Sequence, residues 1–284
     1  MGLGDDLMIT SFVEEEKKKH QDKQVVIGNL EEKIIYDSLI YLHNPNITPI
    51  DKINRDRPIH FINYHNRNRP YIDYKKSNND NWQWNMNFSP TPGILYFSDE
   101  EINKANVILN SAKDYWKKNN NSKYKALIFF ESTSTKINKS FYSNKQKNLD
   151  WGESNWKELI SRLKNNYLLI QSKHETSKQF EGVYYSSVDF DFRTACAILN
   201  GCTIFLGQHG GFGHVAAALK KKAVQYFGGW IHPKVVGYNF HENLYYDHPK
   251  SPCGAVGHIC SHCDEARKSI TVDFVYEKVI SILQ

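Results

Sequence analysis

The second half of the chain alternates short apolar runs with amphipathic segments. Each run has the length and composition of a buried strand, and the segments between the runs repeat apolar residues at helical spacing. The predicted strands are 125–130, 167–172, 182–186, 202–207 and 223–229. The predicted helices are 153–164, 191–201, 211–222 and 272–283. Strands that alternate with helices indicate parallel β-α-β units, so we predict a doubly wound α/β fold for this half.

The first half has a weaker pattern. Apolar positions predict a helix over 5–19, and an apolar run at 24–28 reads as a short buried strand. The stretch from 44 to 92 is rich in Asn, Pro, Tyr and Trp and lacks a clear period. Further predicted strands are 59–64 and 93–98.

A helix is predicted over 99–118, because Ser98 and Glu101 have the spacing of a capping box. The polar run that follows this helix breaks the pattern and suggests a domain boundary. We therefore predict two Rossmann-like domains, 1–118 and 119–284, of which the first is shorter and less regular.

Composition places the chain among folded globular proteins. Of its 284 residues, 40% are hydrophobic and 24% are charged, and the net charge is +5. This mild basic excess suits a phosphorylated ligand, but it is too thinly spread for nucleic-acid binding. No apolar run approaches the length of a membrane span, and the N-terminus lacks the pattern of a signal peptide. We therefore expect a cytoplasmic protein. Because the five cysteines are an odd number and no secretion signal is seen, we expect reduced thiols rather than a disulfide framework.

A glycine-rich turn, "GQHGGFGHVAAAL", joins a predicted strand to a predicted helix. Backbone N–H groups at such a turn can approach a ligand closely, and the helix start adds partial positive charge, which suits phosphate. His209 and His214 flank the glycines Gly210 and Gly211 and could donate hydrogen bonds to phosphate or sugar oxygens. The residues alone leave a second interpretation equally open, in which the glycines only let strand and helix pack closely.

The same segment, together with "GYNFHENLY", "SPCG" and "ITVDFVYEKVI" after it, resembles the carboxyl-terminal domain of the family 9 glycosyltransferases. These are the lipopolysaccharide heptosyltransferases and their relatives. The resemblance covers about 125–284 and implies the GT-B fold, in which two Rossmann-like domains face each other. It also implies that Gly210, Gly211 and His214 bind the diphosphate of a nucleotide-activated sugar.

The chain begins with a second glycine turn, "MGLGDDLMIT". Taken alone, an aspartate here is most simply a helix cap, which the helix dipole favours. The turn is similar to the amino-terminal signature of the same family, and that match places Gly4 at the turn and Asp5 at the general base. In the family an apolar strand precedes this turn, whereas this sequence starts at the turn itself. Asp6 is predicted to be a first-turn helix acid.

Polar residues after the strand at 125–130 are further candidates. In the family this loop contacts the donor, which makes Ser132, Thr133 and Lys136 candidate ligands, although a solvated loop is the alternative. The family usually carries a lysine just before the Trp of the next helix. In this sequence Lys147 lies near that place, slightly early.

The segment "CGAVGHICSHC" combines thiols and imidazoles. Cys253, Cys260 and Cys263 with His262 have the chemistry of zinc ligands, but their spacing is not that of a standard zinc module. Packed, reduced thiols are the favoured interpretation, and a zinc site is the alternative.

The sequence thus predicts a glycosyltransferase that moves a heptose or related sugar from a nucleotide-diphosphate donor to a hydroxyl of a lipopolysaccharide or other cell-surface glycan. No metal or other cofactor is required in this scheme, and contact with the inner membrane would be peripheral at most. Two alternatives remain. One is a nucleotide-sugar epimerase of the same architecture, and the other is a non-catalytic nucleotide- or zinc-binding protein.

Overall fold

The computed structural model describes residues 2–63, 69–133, 143–172, 178–187 and 190–284. Two sheets organise these residues, one of three strands in the first half and one of six strands in the second. No helix of the described residues is both long and apolar enough to cross a membrane.

The first half contains a small mixed sheet. Its elements are α1 (Leu3–Ile9), α2 (Val13–Lys19), β1 (Gln24–Asn29), β2 (Ile34–Ile35), β3 (Ile59–Asn63) and α3 (Asp99–Asn119). The strand order is β2-β1-β3, with β1 parallel to β3 and antiparallel to β2. The predicted helix over 5–19 is helical throughout, but a 3₁₀ turn at Thr10–Phe12 divides it.

The second half contains six parallel strands. They are β4 (Ala126–Glu131), β5 (Tyr167–Gln171), β6 (Val183–Tyr185), β7 (Ile204–Gln208), β8 (Lys222–Gly228) and β9 (Glu242–Tyr245). The helices are α4 (Ser143–Leu149), α5 (Glu153–Leu163), α6 (Phe192–Gly201), α7 (Gly211–Ala218), α8 (Pro233–Val236), α9 (Ser261–Ser269) and α10 (Val272–Leu283). The parallel β-α-β prediction is confirmed, while β9, α4, α8 and α9 lack a clear sequence signal.

The prediction of a strand at 93–98 is wrong. These residues belong to neither sheet. The segment runs along α1 instead, where Ile94 N donates to the hydroxyl of Thr10 at 2.8 Å. A Cβ at Gly93 would lie 2.1 Å from Leu7 O, so the backbone of this segment touches the helix directly. Leu95 and Phe97 are half-buried against the apolar cluster, and Tyr96 O accepts from Arg193, so the run packs and pairs without a strand partner.

Helix α3 joins the two halves. The predicted capping box at its start is present, with Ser98 accepting from Glu101 N and Glu101 accepting from Ser98 N. The helix packs against α6, and one continuous apolar cluster contains residues of α1, β1, α3, α6 and α7. The end of α3 at Asn119 coincides with the predicted boundary near 118, and the division into two domains stays a prediction.

The order of the large sheet decides where a ligand can bind. Its strands run β6-β5-β4-β7-β8-β9, so the chain proceeds outward in one direction from β4 and in the other from β7. The connections after β4 and β7 therefore diverge and leave a crevice beyond the carboxyl ends of these two strands. In open α/β sheets such a point of reversal is where ligands bind.

Candidate functional site

A cleft of about 410 Å³ lies at this point of reversal. Its walls come from the start of α1, the end of β4, helix α4 and the turn before α7. Aromatic side chains also line the cleft, among them Tyr71, Trp82, Trp84 and Trp230. The cleft therefore brings together both glycine-rich turns, which are separated by some two hundred residues in the sequence.

The second glycine turn lines the cleft with backbone. Gly210 is the N-cap of α7, and a Cβ at this position would meet nothing within 4 Å, so the residue faces open space. The first N–H groups of α7, beginning at Gly211, have no acceptor within the helix and are available to an anion. Gly213 has a different role, because a Cβ there would lie 1.9 Å from Gln225 Oε1. The close-packing interpretation holds for Gly213, and phosphate binding at Gly210 and Gly211 stays a prediction.

The two histidines of this turn are neutral. Burial lowers the pKa of His214 to about 4, and its Nδ1 lies 2.8 Å from the hydroxyl of Tyr238. Burial, and then the positive charge of Lys145, lowers the pKa of His209 to about 3. The Nε2 atom of His209 is buried and has no hydrogen-bond partner among the described residues. Both rings line the cleft as neutral hydrogen-bonding groups rather than as cations.

Two hydroxyls follow β4 at the opposite side of the reversal point. Ser132 and Thr133 are buried, and neither side-chain oxygen has a hydrogen-bond partner in the described part of the chain. Thr133 lines the cleft together with the buried carboxylate of Glu131, which accepts from Thr133 N at 3.2 Å and from Gln171 Nε2 at 3.2 Å. A buried hydroxyl without a partner is costly unless a ligand satisfies it, so this end of β4 is suited to a polar ligand. Lys136 lies outside the described residues.

Asp5 faces the cleft from the first turn of α1. Its Oδ1 accepts a hydrogen bond of 2.5 Å from the Tyr71 hydroxyl, and its Oδ2 lies 3.0 Å from Arg69 Nε. The same Oδ2 accepts from Gly2 N at 3.4 Å. Gly2 is the N-cap of α1, so Asp5 caps the helix start from the third helical position and also lines the cleft.

The other residues of the first turn have structural contacts. Gly4 is the second residue of α1 and packs against Gly211. A Cβ at Gly4 would lie 3.2 Å from the Cα of Gly211. Asp6 is buried and accepts a hydrogen bond from Ser38 Oγ at 2.7 Å. The chain is thus helical from Leu3 onward, and the lack of a side chain at Gly4 allows α1 and α7 to approach closely.

The lysine that lines the cleft is Lys145 rather than Lys147. Lys145 Nζ lies 4.5 Å from the ring centroid of Trp82 and 4.8 Å from that of Trp230. Lys147 is exposed and does not line the cleft, and its backbone carbonyl accepts from Arg267. Lys145 is the only lysine or arginine among the described residues that line the cleft.

The aromatic wall, formed by Trp82, Trp84 and Trp230, is rigid. The rings of Trp84 and Trp230 meet edge to face with centroids 4.8 Å apart. The indole N–H of Trp84 donates to Trp230 O, and that of Trp230 donates to Ala255 O at 2.7 Å. The wall therefore joins the irregular region of the first half to the loop that carries the cysteines.

Three of the four predicted metal ligands lie together. The sulfur atoms of Cys253, Cys260 and Cys263 are within 4.8 Å of one another, and those of Cys253 and Cys263 are 3.2 Å apart. The hydrogen bond from Cys263 lowers the pKa of the Cys253 thiol to about 6. His262 does not join this cluster, because its Nε2 pairs with Ser251 Oγ at 2.6 Å.

The cysteine loop also anchors α4. Asn148, which is buried in α4, donates to Ala255 O and His258 O and accepts from Cys260 N. Because α4 carries Lys145, the position of this lysine depends on the loop. Sequence reasoning missed Lys145, Arg69, Tyr71 and Glu131, since each becomes a site residue only through distant contacts. Trp82 and Trp84 come from the stretch at 44–92 that the sequence marks only as rich in Trp.

No protein-family model matches the sequence, and a search of curated proteins finds no significant match. Solved structures do match. The iron-containing dodecameric glycosyltransferase TibC from enterotoxigenic Escherichia coli is 13% identical, with a TM-score of 0.60 over 99% of this chain and 74% of that one. A family 9 glycosyltransferase from Veillonella parvula is 13% identical, with a TM-score of 0.56 over 100% of this chain and 94% of that one.

Escherichia coli ADP-heptose lipopolysaccharide heptosyltransferase II is also similar, at 15% identity and a TM-score of 0.44. That match covers 67% of this chain and spans 53% of the heptosyltransferase. Together, the two matches over nearly the whole chain show that the protein has the GT-B fold of the family 9 glycosyltransferases, as the sequence resemblance predicts.

Proposed function

We propose that this protein is a glycosyltransferase that binds a nucleoside-diphosphate sugar in the cleft and transfers the sugar to a hydroxyl acceptor. One observation carries the proposal. A carboxylate on one wall, Asp5, shares a single cleft with the neutral glycine turn before α7 and with the Thr133 hydroxyl, which has no partner among the described residues. An acid–base group beside a phosphate-binding wall is what sugar transfer needs.

The donor diphosphate would lie between the ends of β4 and β7. The first N–H groups of α7, the hydroxyl of Thr133 and the ammonium group of Lys145 surround this part of the cleft. Since His209 and His214 are neutral, they would act as hydrogen-bonding groups, and Lys145 would supply the positive charge. These groups stabilise the negative charge that grows on the leaving diphosphate. The scheme uses no metal ion at the diphosphate.

Asp5 would act as the general base. The acceptor oxygen attacks the anomeric carbon of the sugar while Asp5 takes its proton, so the new C–O bond forms as the bond to the diphosphate oxygen breaks. The diphosphate leaves with that electron pair. Arg69 and Tyr71 hold the carboxylate in place, which pre-organises the base for the acceptor hydroxyl. By resemblance the sugar is a heptose or a related sugar, and the acceptor is a cell-surface glycan or lipopolysaccharide.

The test is an Asp5→Asn variant. We expect sugar transfer to fall about 10²–10⁴-fold, the range for loss of a general base, while the dissociation constant of the donor stays within about twofold. Asp99→Asn is the matched control, because Asp99 is an exposed first-turn acid of α3 that lies outside the cleft. Full transfer activity in Asp5→Asn would remove the base assignment.

The donor is identified by a thermal-shift screen over nucleotide sugars, including ADP-heptose, because a ligand of the folded state raises the melting temperature. Incubation of the protein with the stabilising donor alone separates the alternatives. A released or transferred sugar supports a transferase, whereas an isomerised donor would identify an epimerase.

We also propose that the three thiols form a metal centre, which the sequence left as an alternative. Three sulfurs within 4.8 Å of one another fit around one ion at metal–sulfur distances near 2.3 Å, and thiolates suit zinc or iron. The structurally similar TibC contains iron. The ion would hold the loop that anchors α4 and would take no part in transfer.

Metal content decides this second proposal. Protein purified under reducing conditions should contain about one zinc or iron per chain by elemental analysis, and Cys263→Ser should lose it. Cys196→Ser is the control, since Cys196 is buried in α6 away from the cluster. A metal-free wild-type protein would leave packed thiols as the correct interpretation.

A further inference from the structure

A second group of metal-ligand side chains lies in the first half of the chain. Glu16 is in α2, His20 is the residue that ends this helix, and His60 is in β3. The Nε2 atom of His60 lies 2.9 Å from Glu16 Oε2, and the Nε2 atom of His20 lies 3.8 Å from the same oxygen. One ligand atom from each residue lies within 4.8 Å of the others.

The Nε2 atoms of both imidazole rings lie near the same carboxylate oxygen of Glu16. The imidazoles stack with centroids 3.8 Å apart and an angle of 29° between their planes. All three side chains are partly shielded, with exposed fractions between 23% and 29%. Glu16 faces the two histidines with its Oε2 atom, and its other oxygen, Oε1, lies 3.2 Å from Lys19 Nζ.

The position at the end of α2 also favours a cation. The last carbonyls of a helix carry partial negative charge, and His20 is the C-cap residue. The positive charges of Lys19 and Lys23 disfavour a cation at this place, whereas the carboxylates of Asp22 and Glu16 favour one. Two neutral nitrogen donors with one carboxylate form the donor set that first-row transition metals and zinc prefer over magnesium or calcium.

We propose that Glu16, His20 and His60 bind a divalent transition-metal ion of the zinc, cobalt or nickel class. On binding, the Nε2 proton that now joins His60 to Glu16 would be carried on Nδ1 instead, so that the ring stays neutral and each residue supplies one ligand atom. Three protein ligands would leave the remaining positions to water on the exposed side. The site contains no sulfur, and it is independent of the proposed transferase activity.

The ion would connect α2 to β3. The two elements already meet through the hydrogen bond between His60 and Glu16 and the stacking of His20 on His60. Because a metal bound only by the folded state adds its binding free energy to stability, the site would stabilise the first half of the chain. At one hundred times the dissociation constant, we expect the melting temperature to rise by about 5 °C.

Cobalt titration of the full chain tests the proposal. Cobalt at the three-residue site should give visible d–d absorption without the intense sulfur-to-cobalt charge-transfer band that a thiolate site produces. Because the wild type also has the thiol cluster proposed above, the variants are made in Cys263→Ser. Cys263→Ser alone should keep this absorption and the thermal shift, and adding His60→Gln should abolish both. Glu16→Gln, on the helix surface, provides a second variant if His60→Gln does not fold.

His43→Gln is the matched control, because His43 lies 3.8 Å from one carboxylate but has no second histidine beside it in the described structure. It should bind cobalt as the wild type does. The proposal is overturned if, in the Cys263→Ser background, cobalt absorption survives both His60→Gln and Glu16→Gln, or if Cys263→Ser alone binds no cobalt.

Discussion

The start of the first helix rests directly on the histidine of the second glycine turn. A Cβ on Gly4 would lie 2.8 Å from His214 Cδ2, closer than side-chain carbons approach in real proteins. Since Asp5 is the next residue, this contact helps to set the distance between the candidate base and the glycine turn before α7. Two residues about two hundred positions apart thus depend on each other's size.

Replacing Gly4 by alanine should therefore destabilise the protein. The added methyl group meets His214 and, at 3.2 Å, the Cα of Gly211, and a backbone atom cannot move aside easily. We expect the free energy of unfolding to fall by about 1–3 kcal/mol, as for other overpacked contacts, in urea titrations. Gly210→Ala is the control, because its methyl group would meet nothing within 4 Å. Equal losses in the two variants would contradict the argument.

Lys145 and Lys147 should differ sharply in donor binding. A charged hydrogen bond to phosphate contributes about 1.5–3 kcal/mol, so Lys145→Gln should raise the donor dissociation constant roughly 10- to 100-fold in calorimetric titrations. Lys147→Gln should leave the dissociation constant unchanged, because that side chain is exposed outside the cleft. A comparable loss from Lys147→Gln would restore the assignment made from sequence.

Thr133→Val should separate binding from stability. The variant removes a buried hydroxyl that has no described partner, so the free energy of unfolding should stay the same or rise slightly. Donor affinity should fall by about fivefold or more, because one hydrogen bond to the ligand is lost. Thr10→Val is the matched control. Its hydroxyl donates to Leu7 O and accepts from Ile94 N, so its loss should destabilise by about 1–3 kcal/mol.

Stability should decrease as the pH falls from about 6.5 to 4. The pKa values of His214 and His241 are about 4 because both rings are buried, whereas an unfolded histidine titrates near 6.5. The unfolded chain then binds more protons in this window, and each histidine removes about 1.4 kcal/mol per pH unit. Above this window the contribution of both groups is fully present.

Urea titrations at several pH values check this dependence. The slope attributable to the pair is about 2.7 kcal/mol per pH unit, and His241→Gln should remove half of it. Comparison with the wild type cancels the carboxylates that titrate in the same range. His258→Gln, at an exposed position, should leave the slope unchanged. An unchanged slope in His241→Gln would contradict burial as the cause.

Local patterns predicted the large sheet because its strands are buried on both faces and appear as continuous apolar runs. The capping box of α3 was predictable for a similar reason, since Ser98 and Glu101 interact with neighbouring backbone groups. The same reasoning failed at 93–98, where Leu95 and Phe97 pack against the apolar cluster from a segment that is not a strand. Hydrophobicity reports burial, but it does not report what covers the residue.

Only the helix in the structure shows which of the two lysines, Lys145 or Lys147, lines the cleft. Residues two apart on a helix point to nearly opposite sides, so Lys145 and Lys147 cannot both line the cleft. Leu149, four residues after Lys145, lines it as expected. No signal predicted α4, because only its contacts with the cysteine loop show which face is buried.

By itself, the sequence determined the parallel α/β fold, the two glycine turns and a group of closely spaced cysteines, since these depend on neighbours in the chain. Only the tertiary structure decided which groups meet. It placed Asp5 between Arg69 and Tyr71, left Thr133 without a described partner, and set Gly4 against His214. The reason is that a site is defined by distances between segments, and those distances follow from how the strands are ordered and how the two halves pack.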